Sequence, residues 1–282
     1  MSESMLFRLS AFSASPDGGN PAGVWLGEAL PADDAMQAIA RRVGYSETAF
    51  LAPLAGAQRT IRYFSPAAEV SFCGHATVAA GVVLGRTSGA GRYRLSTAAG
   101  AVLVDAVEAA DGWRASLRSV LPRHRAVPAD LLAQALQCIG WQPSDLDSRI
   151  PPALAYAGAW HLVLATADAG RLARLDYPFE TLRALMLAHG LTTLQLVRRV
   201  APAQFESRNP FPVGGVVEDP ATGAAAAALA GYLRDAGLLD APFALQIRQG
   251  HHMGRPSLIE VGVPAEGGIA VGGQAVFLGE TT

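Results

Sequence analysis

The spacing of apolar positions changes period repeatedly along the chain, and each change predicts an element. Leu6-Phe7-Arg8-Leu9-Ser10-Ala11-Phe12 alternates loosely, as a strand does, and runs into a turn cluster from Ser15 to Pro21. Gly23 to Leu26 reads as a second short strand. From Asp33 to Val43 the period lengthens, with Met36, Ile39, Ala40 and Val43 on one helical face; Pro31 and Asp33 open the segment and Gly44 ends it. Ser46 to Leu51 and Arg59 to Phe64 return to strand spacing, and Ala76 to Leu84 reads as an apolar helix. Tyr93–Leu95, Ala101–Val104 and Trp113–Leu117 are short strands. Near residue 120 the pattern restarts. Pro128–Ile139 and Pro178–His189 predict helices, and Trp160–Ala165 and Thr193–Arg198 predict strands. A second apolar helix reaches about Leu233, followed by strands at Leu245–Arg248, Ser257–Val261 and Gly268–Leu278. Many short strands around a few helices predict an α+β fold.

The two apolar helices correspond. Gly74-His75-Ala76-Thr77-Val78-Ala79-Ala80 aligns with Gly223-Ala224-Ala225-Ala226-Ala227-Ala228-Leu229, and each follows a polar stretch holding an acid and a proline. Units about 150 residues apart with this likeness suggest two similar halves. A helix that is apolar all round is predicted to be wholly buried.

Composition narrows the function classes. The 282 residues are 50% hydrophobic and 16% charged, which suits a substantial core and excludes overall disorder. A net charge of -2 provides no basic field for a nucleic-acid backbone. Two cysteines, Cys73 and Cys138, do not make a disulfide framework, so a reducing, cytoplasmic compartment is expected. Glu3 and the absence of a long apolar run at the start argue against a signal peptide, and no uncharged run reaches the roughly 18 residues of a membrane span.

Candidate chemistry gathers at four places. Helix starts at Gly74 and Gly223 offer unpaired N–H groups and a partial positive charge, which attract an anion such as a carboxylate. Ordinary buried helices have the same starts. Glu47 stands within an apolar strand, and half-buried carboxyls suit proton transfer near neutral pH; an outward-facing strand residue is the plain alternative. His75 at a helix start is disfavoured as imidazolium and can give or take a hydrogen bond, or be a satisfied structural histidine. Asp219, four residues before Gly223, is a catalytic carboxylate or a helix cap. No metal site is expected: His251 and His252 are adjacent with no further donor nearby, and Cys73 has no CxxC partner. Nucleotide-binding glycine loops and the GxSxG elbow are absent, so no cofactor is expected.

Four ordered blocks resemble the PhzF, or phenazine biosynthesis-like, family: Gly19-Asn20-Pro21-Ala22-Gly23-Val24, Ser46-Glu47-Thr48-Ala49-Phe50, Phe72-Cys73-Gly74-His75-Ala76-Thr77 and Glu218-Asp219-Pro220-Ala221-Thr222-Gly223. Gln249-Gly250 with Met253-Gly254-Arg255-Pro256-Ser257 forms a fifth, weaker one. The resemblance implies a diaminopimelate epimerase-like fold of two similar domains, each a mixed, barrel-like sheet around a central helix. It implies an N-terminal half over 1–115, joined by a returning strand at 270–282, a C-terminal half over 116–269, and an active site in the cleft between them. It also implies a homodimer and an isomerase that needs no cofactor. By the same resemblance Glu47 removes and returns a proton on a small carboxylic acid, His75 and Asp219 assist, and the N–H groups of Gly74, His75, Gly223 and Ala224 hold the carboxylate. Two departures, Ala224 where the family has serine and Arg208-Asn209-Pro210-Phe211-Pro212 in place of Arg-x-Phe-x-Pro, point away from the phenazine precursor itself.

Two rivals remain open at this level. A two-base racemase or epimerase places a cysteine before each helix-start glycine; here Cys73 precedes Gly74 but Thr222 precedes Gly223. A non-catalytic small-acid binding protein on the same scaffold needs only the helix starts, and the joint presence of Glu47, His75 and Asp219 argues against it.

Overall fold

A computed structural model describes residues 4–279. The first stretch of chain forms β1 (Met5–Ala11), β2 (Asn20–Leu26), α1 (Asp33–Val43), β3 (Glu47–Pro53), β4 (Gln58–Phe64) and β5 (Glu69–Val70). It continues with α2 (Gly74–Ser88), β6 (Gly91–Thr97), β7 (Gly100–Ala109) and β8 (Gly112–Arg118). Next come β9 (Arg123–Ala126), α3 (Ala129–Ile139), β10 (Ala153–Tyr156), β11 (Trp160–Ala165), α4 (Ala169–Ala173) and α5 (Phe179–Ala188). Then follow β12 (Thr193–Ala201), β13 (Gln204–Phe211), β14 (Val216–Asp219), α6 (Gly223–Asp235), β15 (Phe243–Gln249), β16 (Ser257–Val263) and β17 (Ala270–Phe277). The fold is α+β, and the chain forms two compact units: Met1–Arg118 with Gly272–Thr282, and Ser119–Val271. Positions 1–3 and 280–282, at the outer ends of the half predicted over 1–115 and 270–282, lie outside the described residues.

In the first unit, strand pairing closes on itself. β1 pairs antiparallel with β2, β2 parallel with β3, β3 antiparallel with β4 and β4 parallel with β6. β6, β7 and β8 continue antiparallel, and β17 pairs with β8 and with β1, completing an eight-strand barrel. Closure leaves no free edge around the ring. α2 packs against β1, β2, β3, β7 and β8, and every residue from His75 to Gly85 is buried. Its small residues are needed for that fit: a Cβ on Gly81 would stand 2.6 Å from both the Ala115 Cβ and the Val104 Cγ1. α1 lies outside the ring and is amphipathic. Asp33 and Asp34 occupy its first turn and Arg41 and Arg42 its last, as the helix dipole favours. Met36 and Ala40 pack on Leu6, Trp25, Phe50 and Phe64, and Gly44 ends the helix at φ 74°, donating its N–H to the Ala40 carbonyl.

The second unit repeats this order. β9, β10 and β11 are antiparallel, β11 runs parallel to β12, β12 antiparallel to β13, β13 parallel to β15, and β15 antiparallel to β16. The run from β10 to β16 therefore matches that from β1 to β7 in direction, and each apolar helix follows a short strand, β5 or β14. α6 packs against β9, β10, β11 and β16, with Ala225 to Leu233 buried. α3 and α5 bring Leu131, Leu136, Leu182 and Met186 to a core that also holds Leu162 and Leu194.

Several strands have no counterpart in the predicted pattern. β9 is exposed at all four residues, so it carries no apolar alternation. β13, where the sequence predicts no element, buries the polar residues Ser207, Arg208 and Asn209. Their burial is matched by partners. Arg208 Nη2 donates to Glu218 Oε2 at 2.5 Å, Arg208 Nη1 to the Ala173 carbonyl, and Ser207 Oγ to Asn209 Oδ1. Such partners are what burial of polar groups requires, and for the ion pair they offset the cost of leaving water.

Candidate active site

Glu47 is the first residue of β3, in register with Ala22 of the parallel strand β2. The Gly19–Val24 and Ser46–Phe50 blocks are thereby neighbours in one sheet. Thr48 to Ala52 are buried, whereas the Glu47 side chain keeps 22% of its exposure. Its Oε2 lies 3.3 Å from Nε2 of His75, the second residue of α2, whose side chain is only 9% exposed. Ser46 Oγ stands 3.3 Å from the same nitrogen. Cys73 Sγ lies beside the ring, 3.3 Å from Nδ1 and 3.8 Å from Nε2. With Glu47 ionised, one neutral tautomer satisfies the chain: Nε2–H donates to the carboxylate and Nδ1 accepts the thiol proton. Protonated Glu47 reverses both bonds. The carboxyl and the thiol thus both stand against one imidazole.

The α2 start is held from below. Thr77 donates both its backbone N–H, at 3.0 Å, and its hydroxyl, at 2.6 Å, to the Cys73 carbonyl. Tyr63 OH lies 2.6 Å from the same hydroxyl, and burial pushes its phenol far above the ordinary range, so it stays protonated. The N–H groups of Gly74 and His75 have no acceptor within the helix. A Cβ added to Gly74 would meet nothing within 4 Å, so a ligand can approach this backbone closely.

Asp219 and the α6 start belong to the second unit. Asp219, half-buried at the end of β14, accepts the Thr222 hydroxyl at Oδ2 over 2.6 Å. Thr222 is the residue before the helix, and its side chain makes no capping hydrogen bond. Gln249 fastens the segment. Its Oε1 accepts the Thr222 N–H, and its Nε2 donates to the Asp219 carbonyl and to Thr222 Oγ1. Gly223 and Ala224 follow with N–H groups that lack intrahelical acceptors, while the Ala226 N–H closes on the Thr222 carbonyl.

The structure brings Glu47 and His75 together and places Asp219, Gly223 and Ala224 on the other unit. Sequence reasoning quoted Ser46 and Gln249 within the family-like blocks but gave neither a role; their side-chain contacts, and the near-complete burial of Gln249 at the end of a strand, are legible only after folding. It also set Cys73 aside for lack of a second cysteine, although the donors near Cys73 are Glu47, brought by the fold from β3, and His75, in the first turn of α2.

A family model described as phenazine biosynthesis-like protein matches residues 9–281. The chain belongs to that family. Among the family's relatives, an uncharacterized isomerase of Deinococcus radiodurans is 33% identical over 281 residues, covering 95% of this chain and 90% of that protein. A trans-2,3-dihydro-3-hydroxyanthranilate isomerase of Pseudomonas fluorescens is 32% identical over 258 residues, covering 89% and 87%. Among solved structures, a predicted epimerase from Pseudomonas aeruginosa superposes with a TM-score of 0.85 at 27% identity, covering 99% of this chain and 98% of that one. The phenazine biosynthesis-like chain therefore has the diaminopimelate epimerase-like fold, and its reaction class is isomerase. Among its described residues, no helix is long and apolar enough to cross a membrane.

Proposed function

We propose that this isomerase moves a proton, and with it a double bond, on a small carboxylic acid, without a cofactor and with Glu47 as general acid/base. The reading is carried by the 3.3 Å approach of the Glu47 carboxylate to His75 at a helix start whose first glycine faces open space. The N–H groups of Gly74 and His75 receive the substrate carboxylate, where the helix dipole favours negative charge. Glu47 takes a proton from an sp³ carbon next to a double bond. The electron pair of the broken C–H bond spreads over the three-carbon system, the double bond shifts, and Glu47 returns the proton to the far carbon. No atom is gained or lost. His75 donates Nε2–H to the ionised carboxylate and follows its protonation by reversing its hydrogen bonds. Asp219, Gly223 and Ala224 enter the proposal as the residues that match the family's second acidic block and helix start. Two-thiol epimerisation is disfavoured, because Thr222 stands where the second cysteine would be and its hydroxyl is tied to Asp219.

The test is incubation in D₂O with small cyclic and amino carboxylic acids, dihydro-hydroxyanthranilate among them, followed by NMR for deuterium uptake and double-bond migration. Glu47→Gln is expected to bind the same acid and to lose turnover by about 10²–10⁴-fold, the worth of a positioned acid/base. Undiminished exchange in Glu47→Gln removes Glu47 from the mechanism. Exchange confined to an amino acid α-carbon, with inversion, moves the assignment to racemase. Binding with no exchange in the wild type on any member shifts the reading toward a ligand-binding relative or a substrate outside the panel.

A further inference from the structure

Proton transfer as proposed uses Glu47 and His75 and leaves the Cys73 sulfur without a task. We propose that Glu47, Cys73 and His75 form a binding site for a thiophilic divalent cation of the Zn²⁺ type. A carboxylate oxygen, an imidazole nitrogen and a thiol sulfur here lie within 4.8 Å of one another. Zinc takes such donors tetrahedrally, at about 2.3 Å for sulfur and about 2.0–2.2 Å for nitrogen and oxygen. Tetrahedral angles then set ligand-to-ligand separations of roughly 3.4 Å for N···O and roughly 3.5 Å for N···S. The observed values are 3.3 Å from His75 Nε2 to Glu47 Oε2 and 3.8 Å from His75 Nε2 to Cys73 Sγ. These two separations lie within about 0.3 Å of the tetrahedral values, the carboxylate oxygen and the sulfur lie within 4.8 Å of each other, and Ser46 Oγ, 3.3 Å from the same nitrogen, or a water can take the fourth position.

The sulfur lies beside the imidazole ring, so ligation requires a turn of the Cys73 or His75 side chain. Cys73 and His75 flank the first glycine of α2, and Thr77 fixes the Cys73 carbonyl, so the donors are carried on rigid elements. Hard cations are disfavoured, because a thiolate and an imidazole suit zinc rather than magnesium or calcium. On binding, Cys73 gives its thiol proton to solvent and the imidazole ligates through the Nε2 lone pair. The cation then occupies the Glu47 oxygen that faces His75. Inhibition of turnover follows from that occupancy and rests on the isomerase reading; binding itself does not.

The test is titration of the full-length, reduced, chelator-treated protein with Co²⁺ in the absence of any substrate. The expected result is an intense near-ultraviolet thiolate-to-cobalt charge-transfer band that saturates at one equivalent and is displaced by Zn²⁺. Cys73→Ala is expected to abolish the band, and His75→Ala and Glu47→Gln to weaken cobalt affinity by at least about tenfold, as even indirect losses do at metal sites. Cys138→Ser and the exposed-site double variant His251→Ala/His252→Ala are expected to leave band and affinity unchanged. Circular dichroism checks that each variant is folded. Absence of the band in the wild type, its survival in Cys73→Ala, or its loss in Cys138→Ser overturns the proposal, whether or not the protein turns over an acid.

Discussion

His161 provides a test of the second unit's core that needs no substrate. It is wholly buried in β11, with Nδ1 2.8 Å from Thr193 Oγ1, and its Nε2 has no hydrogen-bond partner. Burial holds the imidazole neutral, pushing its pKa from the ordinary 6.5 to about 3. The unfolded chain takes up a proton near pH 6.5 and the folded chain does not, so the unfolded state binds more protons throughout this window. This contribution to stability is therefore full above pH 6.5 and is lost as pH falls toward 3. Linkage gives a loss of about 2 kcal/mol between pH 7 and pH 5, and about 4 kcal/mol between pH 7 and pH 3. His161→Gln keeps a hydrogen-bonding side chain that does not titrate. Urea unfolding of both proteins at pH 7 and pH 5 isolates the term, since the Arg-paired carboxylates titrate alike in both. The wild type is expected to lose about 2 kcal/mol more than the variant over that interval. Parallel losses, within about 0.5 kcal/mol, would refute the claim that the folded state holds this ring neutral by burial.

Further outcomes are expected. Arg208→Met leaves Glu218 buried without its counter-charge and should cost about 3–5 kcal/mol in urea unfolding, with much of the loss recovered when Glu218 is also made apolar. Gly81→Val forces atoms into the contact with Ala115 and Val104 and should cost about 1–3 kcal/mol, seen as a lower melting temperature. Gln249→Ala frees the Asp219–Thr222 segment; on the proposed mechanism, turnover falls by up to about 10²-fold with an unchanged circular dichroism spectrum.

Where periodicity and punctuation agree, the elements were legible in the sequence. α1 runs from Asp33 to Val43 as read, because its acidic first turn, apolar face and terminal glycine all mark the same segment. β11 likewise matches its apolar run. β13 was not legible, since Arg208 and Asn209 go inside with partners supplied by Glu218, ten residues on, and by Thr193 of the preceding strand. The pairing that decides burial lies outside any local window. The same limit governs the site. Glu47 and His75 could each be singled out, but only strand β3 beside the α2 start makes them neighbours. The neighbours of Cys73 were hidden for the same reason, and Gln249 was marked only by its place in the fifth, weaker block.

The barrel of the first unit has a consequence for the order in which the chain is made. Its closing strand, β17, emerges roughly 150 residues after β8. At about 5–20 residues per second, translation separates the two by roughly ten to thirty seconds. During that interval β1 and β8 are open edges with unpaired N–H and C=O groups, the arrangement that invites pairing with another chain. The second unit is one continuous segment and has no such wait. Ribosome-bound chains stalled short of Gly272 should therefore be cut by protease within residues 4–118, and chains released with β17 in place should resist. Synthesis thus reverses the written order: the half that is read first is the last to be sealed.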